Sequence, residues 1–190
     1  MKKEDIITLP NANLRQRSRR VGLITPEIKK LVENMKAATL DWEDSRKHEI
    51  TVGLAAIQIN QLLRIFIVRD TTNQSKATFI AFINPEITKY EGKITSEYEG
   101  CLSVQDIYGM VPRRDAIRIK AQDLDGKTFT MKVKGELARI IQHEADHTNG
   151  ILFIDHIKDD PEAFYILNAD GNLEKLDYDK DVKDNKVLWP

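Results

Sequence analysis

Gln142-His143-Glu144-Ala145-Asp146-His147 sets two imidazoles four residues apart with a carboxylate beside the first. On a helix, residues i and i+4 share a face, so His143 and His147 can turn toward one ion. Glu144 can then stand beside a water on that ion, where a general base for metal-assisted hydrolysis belongs. Two imidazoles leave a catalytic divalent ion one protein ligand short. The only cysteine, Cys101 in Glu99-Gly100-Cys101-Leu102-Ser103, offers a thiolate as the third. A Cys/His/His set with one open position suits catalysis, because structural sites fill all four positions with protein. Either motif alone carries less: H-E-x-x-H arises by chance, and a single cysteine is more often a small buried hydrophobe than a ligand.

Val52-Gly53-Leu54-Ala55-Ala56-Ile57-Gln58 is a small, apolar stretch directly after a heavily charged run. Small residues there allow another backbone to approach closely, and Gln58 puts an amide donor in an apolar wall, as an oxyanion hole requires. The competing reading of this segment is a tight helix start packed on a sheet, with Gln58 satisfied by backbone.

Together and in this order, TVGLAAIQ, EGCLS and HEADH resemble the signatures of the peptide deformylases. The likeness continues through Val111-Pro112-Arg113, Leu124-Asp125-Gly126, Gly135-Glu136-Leu137-Ala138-Arg139 and Asn149-Gly150-Ile151-Leu152-Phe153. It implies that Cys101, His143 and His147 bind the metal and that Glu144 shuttles the proton. Gln58 and the backbone amide of Leu102 would hold the developing oxyanion. Gly53 and Val52 would lie beside an extended substrate peptide, Ile140 near its methionine side chain, and Glu99 with Arg113 would brace the metal loop. Asp146 fits a carboxylate that orients a ligand or a neighbouring loop. The resemblance further implies Fe²⁺ in the cell, with Zn²⁺, Ni²⁺ or Co²⁺ able to substitute, and a formyl-methionyl peptide or nascent chain as substrate. Thr51, Ile57, Asn60, Gln105 and Thr148 depart from the family pattern, and they bear on substrate preference and loop rigidity rather than on the metal.

The chemistry of formamide hydrolysis agrees with that assignment. It needs an activated water, a polarised carbonyl, donors for the tetrahedral oxyanion and a proton for the departing amine, and the chain offers a candidate for each. An H-E-x-x-H zinc peptidase, which ordinarily takes a downstream His or Glu as third ligand, and a non-catalytic homologue that binds peptide ends are the alternatives.

These residues must be held by secondary structure. Thr25-Pro26-Glu27 reads as a helix start, and Ile28, Leu31, Val32, Met35 and Ala38 follow at helical spacing, so a first helix is expected to about Leu40, with an exposed loop from Trp42 to Glu49 that carries His48. Strands are expected over 64–69, 78–83 and 87–90, the first two joined by a polar turn at 70–76. Two more, over 117–124 and 128–133, flank the hairpin signal Asp125-Gly126. The metal helix should span 135–148 and stop at Asn149-Gly150, with His156 beyond it structural or exposed. The expected class is α+β, with mixed or antiparallel β-sheets packed around a central metal-binding helix and an N-terminal helix.

With 190 residues, 41% of them hydrophobic and 31% charged, one compact domain over 1–190 is expected. From Asp159 to Pro190 nine acidic side chains face four lysines, so residues 160–190 read as an acidic tail in which Tyr165-Ile166-Leu167 and Leu173 form a short strand and Val187, Leu188 and Trp189 dock on the body. A net charge of −1 gives no overall pull toward nucleic acid or membrane. A monomer is expected, with no direct nucleic-acid partner, no membrane and at most a transient encounter with the ribosome. One cysteine excludes an internal disulfide, and the sequence shows neither a secretory signal nor a membrane-length apolar run, so a bacterial cytoplasm is expected.

Overall fold

Alternation along a short strand sets the architecture. Strand β2 (Ile65–Arg69) buries Ile65 and Ile67 on one face and Phe66 and Val68 on the other, so it needs cover on both sides. Helix α1 (Pro26–Asp44) covers the first face with Val32, Met35 and Ala38. Helix α2 (Glu136–His147) covers the second with Ala138, Ile141 and Ala145. Phe66 stacks on Phe82 with ring centroids 4.8 Å apart. Each such buried side chain contributes on the order of 1.5–3 kcal/mol, so these layers hold α2 in place. This is a computed structural model, and it describes residues 1–45, 52–70, 78–168 and 170–189.

The strands pair antiparallel in one sheet. Its path runs β1 (Gly53–Ala55), β2, β3 (Phe79–Cys101), β4 (Val104–Gln122), β6 (Phe164–Leu167), β7 (Leu173–Lys175), and β5 (Thr128–Lys134) pairs with β4 off that path. The α+β class, the N-terminal helix and the central helix all agree with expectation. So does the hairpin at Asp125-Gly126: Gly126 takes φ +79°, and Asp123 Oδ1 accepts from the amides of Asp125 and Lys127.

Several boundaries differ. Helix α1 continues past Leu40 to Asp44, because half-buried Trp42 packs on the α1 core and extends its apolar face by another turn. Trp42 is therefore helical rather than part of an exposed loop, while His48 and Thr51 lie outside the described residues, as does most of the 70–76 turn. The two strands expected over 78–83 and 87–90 are one long strand. Asn84, at φ +52°, bends it without ending it, and its side chain bonds to both backbone groups of Val21 and to Gln122. The C-terminal segment joins the sheet: β6 pairs with Ile107–Gly109 of β4. Leu188 is buried and Trp189 Nε1 donates to the Val182 carbonyl at 2.8 Å, but Val187 stays half exposed.

Candidate metal centre

Helix α2 delivers two imidazoles by its own pitch, and the β3–β4 hairpin delivers the thiol. Cys101 ends β3 and pairs with Val104 across the turn at Leu102 and Ser103, which leaves its sulfur facing α2. The ligand atoms of Cys101, His143 and His147 all lie within 4.8 Å of one another, with Cys101 Sγ 3.3 Å from His147 Nε2. Tetrahedral zinc with bonds of ~2.3 Å to sulfur and ~2.0–2.1 Å to nitrogen separates such donors by roughly 3.4–3.6 Å, so the set fits a divalent transition ion.

Glu99 decides which nitrogen of His143 faces Cys101 and His147. Its carboxylate takes Arg113 Nε at 2.6 Å, Arg113 Nη2 at 3.0 Å, Arg139 Nη1 at 2.7 Å and His143 Nδ1 at 2.9 Å. An ionised carboxylate only accepts, so His143 must donate from Nδ1 and present Nε2 to the ligand cluster. Burial alone would raise the Glu99 pKa, but His143 and Arg113 win and hold it well below the usual carboxylate range. Burial likewise disfavours charge on His143, yet the Cys101 sulfur and Glu99 push its pKa well above the ordinary value. His147 moves the other way, lowered by burial and then by His143. A buried neutral ring at 147 has a lone pair that it can offer to an ion. Asp146 completes the outer layer, accepting Arg113 Nη1 at 2.7 Å and contacting His156 Nε2 at 2.7 Å.

Glu144 is 4% exposed, and among the described residues its Oε2 has no hydrogen-bond partner. Burial pushes its pKa up to about 7, within reach of proton exchange in both directions near neutrality. Gly53 makes room for it, because a Cβ there would lie 2.5 Å from Glu144 Oε1. Gln58 accepts from the Ala55 amide through Oε1 at 2.8 Å, which turns its NH₂ toward Ser103 Oγ at 3.2 Å and Cys101 Sγ at 3.5 Å. The donor therefore points at the ligand cluster, and the reading of Gln58 as merely a backbone-satisfied helix start covers only half of its amide.

A cavity of about 550 Å³ opens on this centre, lined among others by Val52, Gly53, Gln58, Cys101, Leu102, Ile140, His143 and Glu144. His147 sits behind it, 1% exposed. Among the described residues, β1 pairs only with β2, so its outer edge stands open beside the cavity. Sequence reasoning missed Arg139 and Ser103. Arg139 lies four residues before His143 on the same helix face, and Ser103 two residues after Cys101 in the hairpin turn, so spacing could have marked both.

A buried H-E-x-x-H helix facing a cysteine from a β-hairpin, with a buried carboxylate and an amide donor in one cavity, defines a metal-dependent hydrolase. The chain belongs to the polypeptide deformylase family, whose model matches residues 3–162. The peptide deformylase of Nitrobacter hamburgensis is 40% identical over 157 residues, covering 80% of this chain and 86% of that protein. That of Dictyoglomus turgidum is 44% identical over 129 residues, covering 68% and 80%. The crystal structure of a peptide deformylase from Synechococcus elongatus in complex with actinonin superposes with a TM-score of 0.74 at 29% identity, covering 82% of this chain and 80% of that one. The Legionella pneumophila enzyme gives 0.69 at 36% identity, covering 80% and 83%.

Proposed function

We propose that this protein removes the formyl group from formyl-methionyl peptides, adding water to the formamide and releasing formate and a free amino terminus. The observation that carries the reading is the convergence of the Cys101, His143 and His147 ligand atoms within 4.8 Å beside a buried, unpartnered Glu144 oxygen. A divalent ion held there supplies Lewis-acid polarisation of the carbonyl and a water of lowered pKa. Glu144 accepts a proton from the attacking water and returns it to the departing nitrogen. Gln58 Nε2 and the Leu102 amide hold the oxygen as it becomes an oxyanion. The open edge of β1 at Val52 and Gly53 takes the peptide as an added strand, and Ile140 lines the pocket for the methionine side chain.

The donor set suits Fe²⁺ as the cellular ion, with Zn²⁺, Ni²⁺ or Co²⁺ substituting. The C-terminal strands share the sheet with the rest of the chain, which supports a single domain over 1–190. No helix among the described residues is long and apolar enough to cross a membrane, and we place the protein in a bacterial cytoplasm as a monomer that meets nascent chains transiently at the ribosome. Protein prepared without oxygen and loaded separately with Fe²⁺ and Zn²⁺ should release formate from formyl-Met-Ala-Ser and leave the unformylated peptide intact. Internal peptide cleavage would indicate a zinc peptidase, and formyl-peptide binding without formate would indicate a binding homologue. Cys101→Ser should sharply weaken metal retention.

A further inference from the structure

Most arginines in this protein are engaged. Arg15 pairs with Asp155, Arg69 with Glu43, Arg113 and Arg139 with Glu99, and Arg118 with Glu91, while Arg114 donates to a carbonyl and Arg64 to Asn149 Oδ1 and the Pro85 carbonyl. Arg17, Arg19 and Arg20 differ: all three are exposed, and among the described residues none has a carboxylate partner. Their backbone is pinned, since the Ser18 amide donates to the Thr148 carbonyl at 3.0 Å, the Arg19 amide to Leu62 at 3.0 Å and the Arg64 amide to Arg19 at 2.9 Å. Ser18 is buried between exposed neighbours, so Arg17 and Arg19 project on the same side. Loose surface arginines would spread their charge; these are fixed close together.

What lies between them is a cavity of about 320 Å³ lined by Arg17, Arg19, Asn60, Gln61 and Leu62. The Asn60 amide oxygen already accepts from Asn13 Nδ2 at 2.6 Å, so Asn60 has its NH₂ left to offer. Guanidinium and amide donors with no carboxylate in the lining suit an anion, and the fork of arginine suits phosphate oxygens. The charge here is under-neutralised: Arg64 has its pKa lowered by burial and then by Arg17 and Arg20, with Glu86 the one carboxylate acting against that.

We propose that this cluster binds the phosphodiester backbone of RNA. Alternate residues of an extended segment repeat at roughly 6.5–7 Å, so Arg17 and Arg19 can follow successive phosphates where a single anion would use only one or two, and Arg20, exposed next in the chain and acting with Arg17 on Arg64, adds its charge. None of these groups reads bases, so the contact carries charge and register without sequence preference. The net charge of −1 conceals the patch by averaging it against acidic residues elsewhere.

The test is fluorescence anisotropy of labelled mixed-sequence single-stranded RNA with the full-length protein. Binding should weaken with salt at a log–log slope of about −2, as expected for three phosphate contacts at ~−0.7 each. Arg17→Glu/Arg19→Glu/Arg20→Glu should lose roughly tenfold or more in affinity, and the milder Arg17→Gln/Arg19→Gln, at the two exposed side chains that line the cavity, should flatten the slope. Equal affinity of the native and triple-substituted proteins would overturn the proposal. So would poly-glutamate binding as tightly as RNA, or inorganic phosphate binding without RNA. Formate release by the same samples reports separately on the hydrolytic site, which shares no lining residue with this cavity.

Discussion

Helix α2 and the β3–β4 hairpin contribute to one centre by different physical means. In α2 the separation of His143, Glu144 and His147 follows from helical pitch, and burial of Ala138, Ile141 and Ala145 only has to orient the face. In the hairpin the Cys101–Val104 pairing turns the sulfur toward α2, but nothing local holds the hairpin against that helix. The cysteine's position depends on Glu99, two residues earlier, which is clamped by Arg113 from β4 and Arg139 from α2 and itself holds His143. The same carboxylate thus ties hairpin to helix. A ligand on a helix is held by its neighbours in sequence, whereas a ligand on a strand end is held by residues brought from elsewhere.

Substitutions on the two elements should separate these means. Glu144→Gln on α2 keeps size and removes the proton shuttle, and kcat should fall by roughly 10²–10⁴ with metal content unchanged by elemental analysis. Glu99→Ala in the hairpin should act on the fold instead. Removing the carboxylate shared by two buried guanidinium groups, of which Arg113 keeps only Asp146, costs about 3–5 kcal/mol, read from urea unfolding, and metal retention should fall with it. Equal stability of that variant would show that the hairpin is aimed by backbone pairing alone. Gln58→Ala, which lies on neither element but bonds to Ser103 in the hairpin turn, should cost ~10²–10³ in kcat without unfolding the protein.

Smaller effects belong to the rim. Tyr165, on the β6 strand beyond the family-matched residues, packs edge-on against Tyr98 with centroids 5.0 Å apart, and Tyr98 lines the cavity. Tyr165→Ala should lose about 0.5–1.5 kcal/mol beyond the area term, and Tyr165→Phe should keep it, by thermal unfolding. Glu91 is smallest. Its hydrogen bonds to Arg118 and Lys89 depress its pKa to about 2. A lowered carboxylate adds stability that is present above its unfolded pKa of about 4.3 and disappears as pH falls toward 2. Glu91→Gln should flatten the unfolding-midpoint profile in that window, slightly lowering the midpoint near neutrality, where the contribution is present, and leaving it unaltered near pH 2.

Much of the site was legible because its signals are short-range. Two imidazoles at i and i+4, the Asp125-Gly126 turn and the Pro26 helix start each depend on neighbours within a few residues, and each stands where its pattern puts it. What escaped depends on distant partners. Asn84 next to Pro85 looks like a break, yet its side chain satisfies Val21 and Gln122 and lets β3 run on to Cys101. Gly53 reads as room for the approach of another backbone, but it is also the clearance for Glu144, ninety-one positions along the chain.

The sequence by itself determined which atoms could do chemistry: an imidazole pair on one helical face, a lone thiol, a carboxylate and an amide. Tertiary structure decided that the thiol meets the imidazoles, that His143 presents Nε2 and, among the described residues, that one oxygen of the buried Glu144 has no partner and that Arg17, Arg19 and Arg20 have no carboxylate partner. Helical spacing is built into a few bonded residues, whereas convergence across more than forty residues requires closing a long loop, which only the packed sheet and its buried ion pairs can hold shut.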